Sequence, residues 1–133
     1  MIASSSSLYS QYGITQPIAA IFLDSAVMDT PNLMNKKHLH LYDRAFGNNS
    51  EYWQSLSPFH QLKNKRMPLL AVCSTKRDEA CPQSKSFLDK AKSFGTKTLL
   101  VQEEMSHKDI NLLLGEEPTY TKIIDDFLKS VLE

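Results

Sequence analysis

An α/β fold built on a parallel sheet is predicted by three features of the chain. Its apolar runs are short and rich in branched or aromatic residues, stretches of helical period lie between them, and one such stretch has the length a crossover needs to return the chain to a neighbouring parallel strand. The clearest unit is Pro68-Leu69-Leu70-Ala71-Val72-Cys73, then the amphipathic segment Gln83 to Phe94 closed by Gly95, then Lys97-Thr98-Leu99-Leu100-Val101-Gln102. An unbroken apolar run has no polar face to turn toward water, so the first of these reads as a strand covered on both sides.

The remaining elements follow in chain order. Ile18-Ala19-Ala20-Ile21-Phe22-Leu23, after Pro17, has the same doubly buried character, and Asp24 to Pro31 leaves the sheet. From Asn32 to Phe46 the pattern is helical and weakly amphipathic, with Leu33, Leu39, Leu41, Tyr42 and Phe46 as its apolar positions and Gly47-Asn48-Asn49-Ser50 as its stop. Glu51 to Leu62 is interrupted at Ser57-Pro58, because the residue before a proline is pushed out of helical geometry. Residues 32–62 therefore read as an excursion from the sheet, a candidate cap. Thr119 to Leu132 places Ile123, Ile124, Phe127, Leu128, Val131 and Leu132 at helical spacing, a helix that lays one face on the sheet.

Composition narrows the function. A chain of 133 residues suits one domain with one core. Lysine plus arginine and aspartate plus glutamate number 15 each, so no global field draws nucleic acid or an anionic membrane, and a small neutral ligand is expected. There is no run of about 20 apolar residues for a membrane span, and the start lacks the basic and apolar regions of a signal peptide. The expectation is a soluble, cytoplasmic protein. Cys73 and Cys81 form no disulfide framework and lack a second Cys/His pair at zinc spacing, so both are expected to be reduced thiols. His38 and His40, two apart on an expected helix, do not face one another, and no metal site is expected. None of Gly13, Gly47, Gly95 and Gly115 builds a phosphate loop, which counts against a flavodoxin-like reading.

Chemistry is expected at the strand ends. In open α/β sheets ligand and catalytic groups gather beyond the carboxyl ends of the strands. Asp78 follows the Pro68 strand and His107 follows the Lys97 strand, so the two are expected side by side as the acid and base of a nucleophile-base-acid triad.

Ser57-Pro58, the Pro68 to Ser74 strand, Lys76-Arg77-Asp78-Glu79 with Pro82-Gln83-Ser84 and Phe87, Gly95, His107-Lys108-Asp109-Ile110, Leu114-Gly115 and the closing Phe127-Leu128 stand in an order and spacing with a family precedent. Over residues 18 to 133 they resemble the carboxyl-terminal half of an α/β-hydrolase of the esterase and lipase group, which includes carboxylesterase-like and kynurenine-formamidase-like enzymes. The resemblance implies a three-layer sandwich with a mostly parallel sheet, truncated on its amino-terminal side, and a serine hydrolase of carboxylic esters that needs no cofactor or metal. It places the acid at Asp78 and the base at His107. Laying the family's Gly-x-Ser-x-Gly turn on Ala3-Ser4-Ser5-Ser6-Ser7 puts Ser5 at the nucleophile position, with Met1-Ile2 as the remnant of the strand leading in. Both glycines of that turn are replaced here, and the loop that supplies oxyanion donors in the family has no counterpart. The chain therefore reads as a carboxyl-terminal piece, or as a subunit that completes itself with a partner; an unpaired sheet edge makes a homo-oligomer the expectation. Other readings stay open: the serine run as a helix cap or loose terminus, Asp78 as a cap of the Gln83 helix, an amidase or peptidase on the same fold, and a non-catalytic interaction module that keeps the half-fold.

Overall fold

The structure, a computed structural model, describes Met1 and residues 3–133; Ile2, half of the expected Met1-Ile2 remnant, lies outside the described residues. Strands β1 (Ala20–Leu23), β2 (Leu69–Ser74) and β3 (Thr98–Glu103) pair in that order, all parallel. Among the described residues the helices are α1 (Ser6–Ser10), α2 (Thr30–Met34), α3 (His40–Phe46), α4 (Ser50–Leu56), α5 (Pro58–Gln61), α6 (Ala80–Ser93), α7 (His107–Leu112) and α8 (Pro118–Leu132).

Every residue of β2 is buried, which is why its sequence is apolar without alternation. Successive side chains of a strand point to opposite faces. Leu69 and Ala71, with Phe22 and Leu100 beside them, pack on Phe87, Leu88 and Ala91 of α6. Leu70 and Val72, with Ile21 and Val101, pack on Ile110 of α7 and on Tyr120, Ile124 and Phe127 of α8. The sheet is thus the middle of three layers. Right-handed crossovers that advance across a sheet in one direction leave by the same face, and α5 and α6 do lie together on one side. After β3 the chain changes face. The hydroxyl of Ser74 donates to the Met105 carbonyl at 2.6 Å, carrying the loop after β3 back across the end of β2. Buried Ile110 and a 2.9 Å bond from the Tyr120 hydroxyl to the Ile110 carbonyl then hold α7 over the ends of β1 and β2.

The excursion differs from the sequence reading. The expected helix over 32–46 is two short ones, α2 capped by the Asp29 carboxylate on the Asn32 N–H, and α3 restarting at His40 after an extended Leu39. Asn49 caps α4 and Ser57 caps α5. The excursion is tied to α6 at two points. The Gln83 side-chain oxygen accepts from the Met28 and Asp29 N–H groups at 3.1 and 2.6 Å, and the Lys90 ammonium donates to the Phe59 carbonyl at 2.6 Å while lying 4.3 Å from the centre of the Phe59 ring.

The expected reduced thiols are corrected by the structure: Cys73 and Cys81 form a disulfide, with Cα atoms 5.1 Å apart. The pairing follows from pleat and layer. Cys73 points to the same face as Leu69 and Ala71, the face that α6 covers, and Cys81 sits in the first turn of α6. The bond closes the whole turn that leaves β2. Disulfides are rare in a reducing cytosol, so this one weighs against the cytoplasmic expectation. No helix among the described residues is long and apolar enough to cross a membrane. Closing so short a loop stabilises by about 2–3 kcal/mol in the chain-entropy picture. Urea unfolding of the Cys81→Ser variant is therefore expected to show a stability lower by that amount, and equal midpoints for variant and parent would mean that the bond adds nothing to the fold.

Candidate acid-base site

The carboxyl ends of the strands meet around one buried carboxylate, and it belongs to Asp24 rather than Asp78. Asp24 follows directly on β1, and its backbone takes φ +58°, a left-handed conformation that aspartate tolerates better than most residues. Its N–H still donates to the Val72 carbonyl at 2.8 Å, continuing the β1–β2 ladder by one step. Held there, the side chain has no exposure to solvent.

Three donors converge on this carboxylate. The backbone N–H of Ser74, at the end of β2, reaches Oδ1 at 2.7 Å. The Arg77 guanidinium reaches Oδ2 at 2.5 Å and the Asp24 carbonyl at 2.8 Å. The third donor is His107, whose Nδ1 stands 2.9 Å from Oδ2. Burial opposes ionisation of Asp24, but the Ser74 N–H bond, then Arg77 and His107, outweigh it and hold the carboxyl below the usual carboxylate range. An anionic Oδ2 fixes the histidine tautomer with its proton on Nδ1. The 3.1 Å separation between Arg77 Nη1 and His107 Nδ1 is then the spacing of two donors sharing one acceptor.

His107 opens α7 and is more than half exposed. With Nδ1 committed to Asp24, Nε2 carries the lone pair, and no hydrogen-bond partner for it is found among the described residues. A ring held at one nitrogen by a buried carboxylate and open at the other is arranged to take a proton from an approaching hydroxyl.

The other sequence candidates stand elsewhere. Asp78 is exposed, and among the described residues it makes no hydrogen bond to His107, although its neighbour Arg77 comes within 3.1 Å of that ring. Asp24 takes the partner's place because the loop after β3 passes over β2 and delivers α7 to the end of β1. The same strand-end rule that singled out Asp78 applies to Asp24, so a signal existed in Phe22-Leu23-Asp24. Ser5 stands at the N-terminal end of α1 without a side-chain bond to its backbone N–H groups, its hydroxyl 2.8 Å from that of Ser7. Its neighbour Ala3 binds Arg66 and lines a groove with Pro17, Ala19 and Met67, all at the amino-terminal ends of β1 and β2. Ser5 and His107 thus lie at opposite ends of the sheet. The extended φ of −136° at Ser5 is also unlike a sharp nucleophile turn.

A second serine, histidine and aspartate do come together, at Ser57, His60 and Asp29. Ser57 Oγ lies 2.9 Å and Asp29 Oδ1 3.7 Å from one and the same ring nitrogen, Nδ1. A relay needs the two on opposite nitrogens. Ser57 is moreover fully buried, donating to the Met28 carbonyl and accepting from the Thr30 N–H, so this cluster braces the excursion. His38 and His40 share the Asp43 carboxylate, at 2.8 and 3.1 Å, because the helix expected to hold them is broken between them.

Compared with known proteins, the chain matches no family model, no curated sequence and no solved structure.

The folded-state depression of the Asp24 pKa sets a sign. Its contribution to stability is fully present above the ordinary aspartate value of about 4 and is lost as pH falls through that value toward the lower folded one. Arg77→Ala leaves the buried anion with one charged donor fewer; because Arg77 is itself one-third exposed, the expected loss is about 1–3 kcal/mol. Circular dichroism during acid titration is expected to show the variant unfolding at higher pH than the parent. Coincident acid transitions would mean that Arg77 is only a surface partner.

Proposed function

We propose that this chain carries the acid and base of a serine carboxylic-ester hydrolase on an α/β-hydrolase-like sheet, with His107 as the base and Asp24 as the carboxylate that holds it. The observation that carries the reading is the 2.9 Å contact between the buried Asp24 carboxylate and Nδ1 of a His107 side chain that is more than half exposed. In this mechanism a hydroxyl approaching Nε2 gives up its proton to His107 as its oxygen attacks the ester carbonyl carbon. The imidazolium then protonates the departing alkoxide, the acyl group stays on the attacking oxygen, and water releases it by the same proton path. Asp24 orients the ring and stabilises its charged form throughout. Ser5, whose segment packs at the amino-terminal ends of β1 and β2, is not the residue proposed for that hydroxyl. An amide or peptide bond would follow the same path with an amine as leaving group.

Among the described residues β1 has a strand on one side only, and that edge favours a second reading, a non-catalytic interaction module in which it pairs with another chain, including a second copy. Its apolar residues Ala20-Ile21-Phe22-Leu23 are only half-buried although their sequence is that of a central strand. Sedimentation of the chain is expected to show a species larger than the monomer, and a clean monomer at every concentration would leave the edge without a partner of its own kind.

Hydrolysis of p-nitrophenyl acetate separates the two readings. His107→Ala is expected to lower the rate by at least about tenfold, the small end of what a positioned base supplies. Asp24→Asn is expected to lower it as well, with a thermal melt run beside it because the site is buried, while Asp78→Asn leaves the rate unchanged. Peptide mapping after fluorophosphonate treatment is expected to find Ser5 unmodified. A His107→Ala variant as active as the parent would sink the hydrolase reading and leave the interaction module.

A further inference from the structure

The link between α2 and α3 holds a histidine whose two ring nitrogens both face acceptors. His38 Nδ1 lies 2.7 Å from the Lys36 carbonyl and Nε2 lies 2.8 Å from Asp43 Oδ1. A neutral imidazole has one N–H, so it would set a bare lone pair against oxygen at one of these contacts. Asp43 does not supply the missing proton near neutral pH, because the bonds from His38 and then His40 hold its carboxyl below the usual carboxylate range. Only the imidazolium donates at both nitrogens. The two acceptors accordingly hold the ring above the ordinary histidine range, the Asp43 bond first and the Lys36 carbonyl next. The His38 side chain is sheltered, 14 % exposed.

This clamp sits where α3 has little else to hold it. None of the residues of α3 is buried. At its carboxyl end the Trp53 indole N–H donates to the Phe46 and Gly47 carbonyls, at 3.1 and 3.2 Å. At its amino-terminal end Leu39 is extended and no side chain caps the first turn, so the His38 to Asp43 bond is what ties link to helix. The same end lines a groove of about 490 Å³, where Lys37, His38, Leu39 and Tyr42 stand with Ala26 and Leu33. Arg77, Asp78 and Glu79 line it as well. Of these, Arg77 is engaged by Asp24 and Glu79 by Lys36. His40 lies on the second Asp43 oxygen with its side chain fully exposed, and α2 carries no charged residue. Among the described residues Asp43 is the only charged group bonded to the His38 ring.

We infer that His38 is a proton-operated latch: as imidazolium it pins the amino-terminal end of α3 along the groove, and on losing its proton it frees that end and widens the groove. The latch needs an ionised Asp43 and a charged His38. It is therefore closed from the lowered aspartate range up to the raised histidine range. The His38 contribution is fully present below the ordinary histidine value of about 6.5 and is lost as pH rises through the higher folded value. Neither Asp24 nor His107 takes part, so the latch holds whether or not the chain is a hydrolase.

NMR of the whole chain across neutral and mildly alkaline pH reads both halves of the latch. Ring-nitrogen shifts report the charge of His38, and amide exchange of Arg44 to Gly47, divided by the rates of an unstructured peptide, reports the hold on α3. The His38 midpoint is expected above that of an unstructured histidine. Protection in α3 is expected to fall about threefold through that same midpoint, the middle of the range for a partly exposed ion pair, while protection in α6 stays constant. The Ala26 and Leu33 methyl signals in the groove are expected to move with it. His38→Gln keeps an uncharged donor, so protection in α3 is expected to lose its pH dependence, whereas His40→Gln is expected to behave as the parent. Asp43→Asn removes the charged acceptor without touching the ring, and is expected to lower the His38 midpoint. A His38 ring already neutral at pH 6, groove methyls that stay still, or a break in α3 protection that survives His38→Gln would overturn the latch. An unmoved His38 midpoint in Asp43→Asn would do the same, and this variant decides the matter if His38→Gln lowers protection in α6.

Discussion

The Asp24 carboxylate is the constraint on which the arrangement of strand ends depends. A buried anion costs several kcal/mol unless its lone pairs are met by donors, and its donors come from three places in the chain: the end of β2, the turn after it and the start of α7. Each must arrive in register. The left-handed backbone at Asp24 aims the side chain inward, the parallel pairing of Leu23 with Val72 sets the Ser74 N–H opposite it, and the loop after β3 has to cross β2 to bring His107 within reach. One charge therefore ties the topology of the sheet to the placement of the histidine.

The turn from Ser74 to Ala80 serves two surfaces at once. On one side it supplies the Ser74 and Arg77 donors; on the other, Arg77, Asp78, Glu79 and Ala80 line a groove with Ala26, Leu33 and Tyr42. The Cys73–Cys81 bond closes this turn at both ends. Loops carry chemistry best when a rigid scaffold fixes their ends, and here the scaffold is a fully buried strand, a long helix and a covalent link between them.

Residue types alone do not make a proton relay in this chain. Ser57, His60 and Asp29 stand within a few ångströms of one another and still form a brace, because serine and aspartate face the same ring nitrogen. Ser5 matches the shape of a nucleophile motif by sequence, yet its segment packs at the end of the sheet away from His107. What distinguishes the Asp24 and His107 pair is an anion with no solvent exposure on one nitrogen and, among the described residues, no hydrogen-bond partner at the other.

The local pattern of the sequence determined the layers. Continuous apolar runs with a helical stretch between them require a sheet covered on both faces, and β2, α6, β3 and α8 lie close to where that periodicity puts them, since each is specified by its own residues. The place of His107 beyond the carboxyl end of β3 was legible for the same reason. Its partner was not. Asp24 and Asp78 both follow buried strands, and nothing local says which one meets His107; that depended on the chain changing faces after β3, a consequence of where Met105, Ile110 and Tyr120 find their contacts. The Cys73–Cys81 pairing was decided in the same way, by which face of β2 the helix α6 covers, and so was the broken helix around His38, whose weak periodicity yielded to contacts with Asp43 and the Lys36 carbonyl. Short-range pattern fixes what an element is, whereas contacts between residues tens of positions apart fix what its ends can touch.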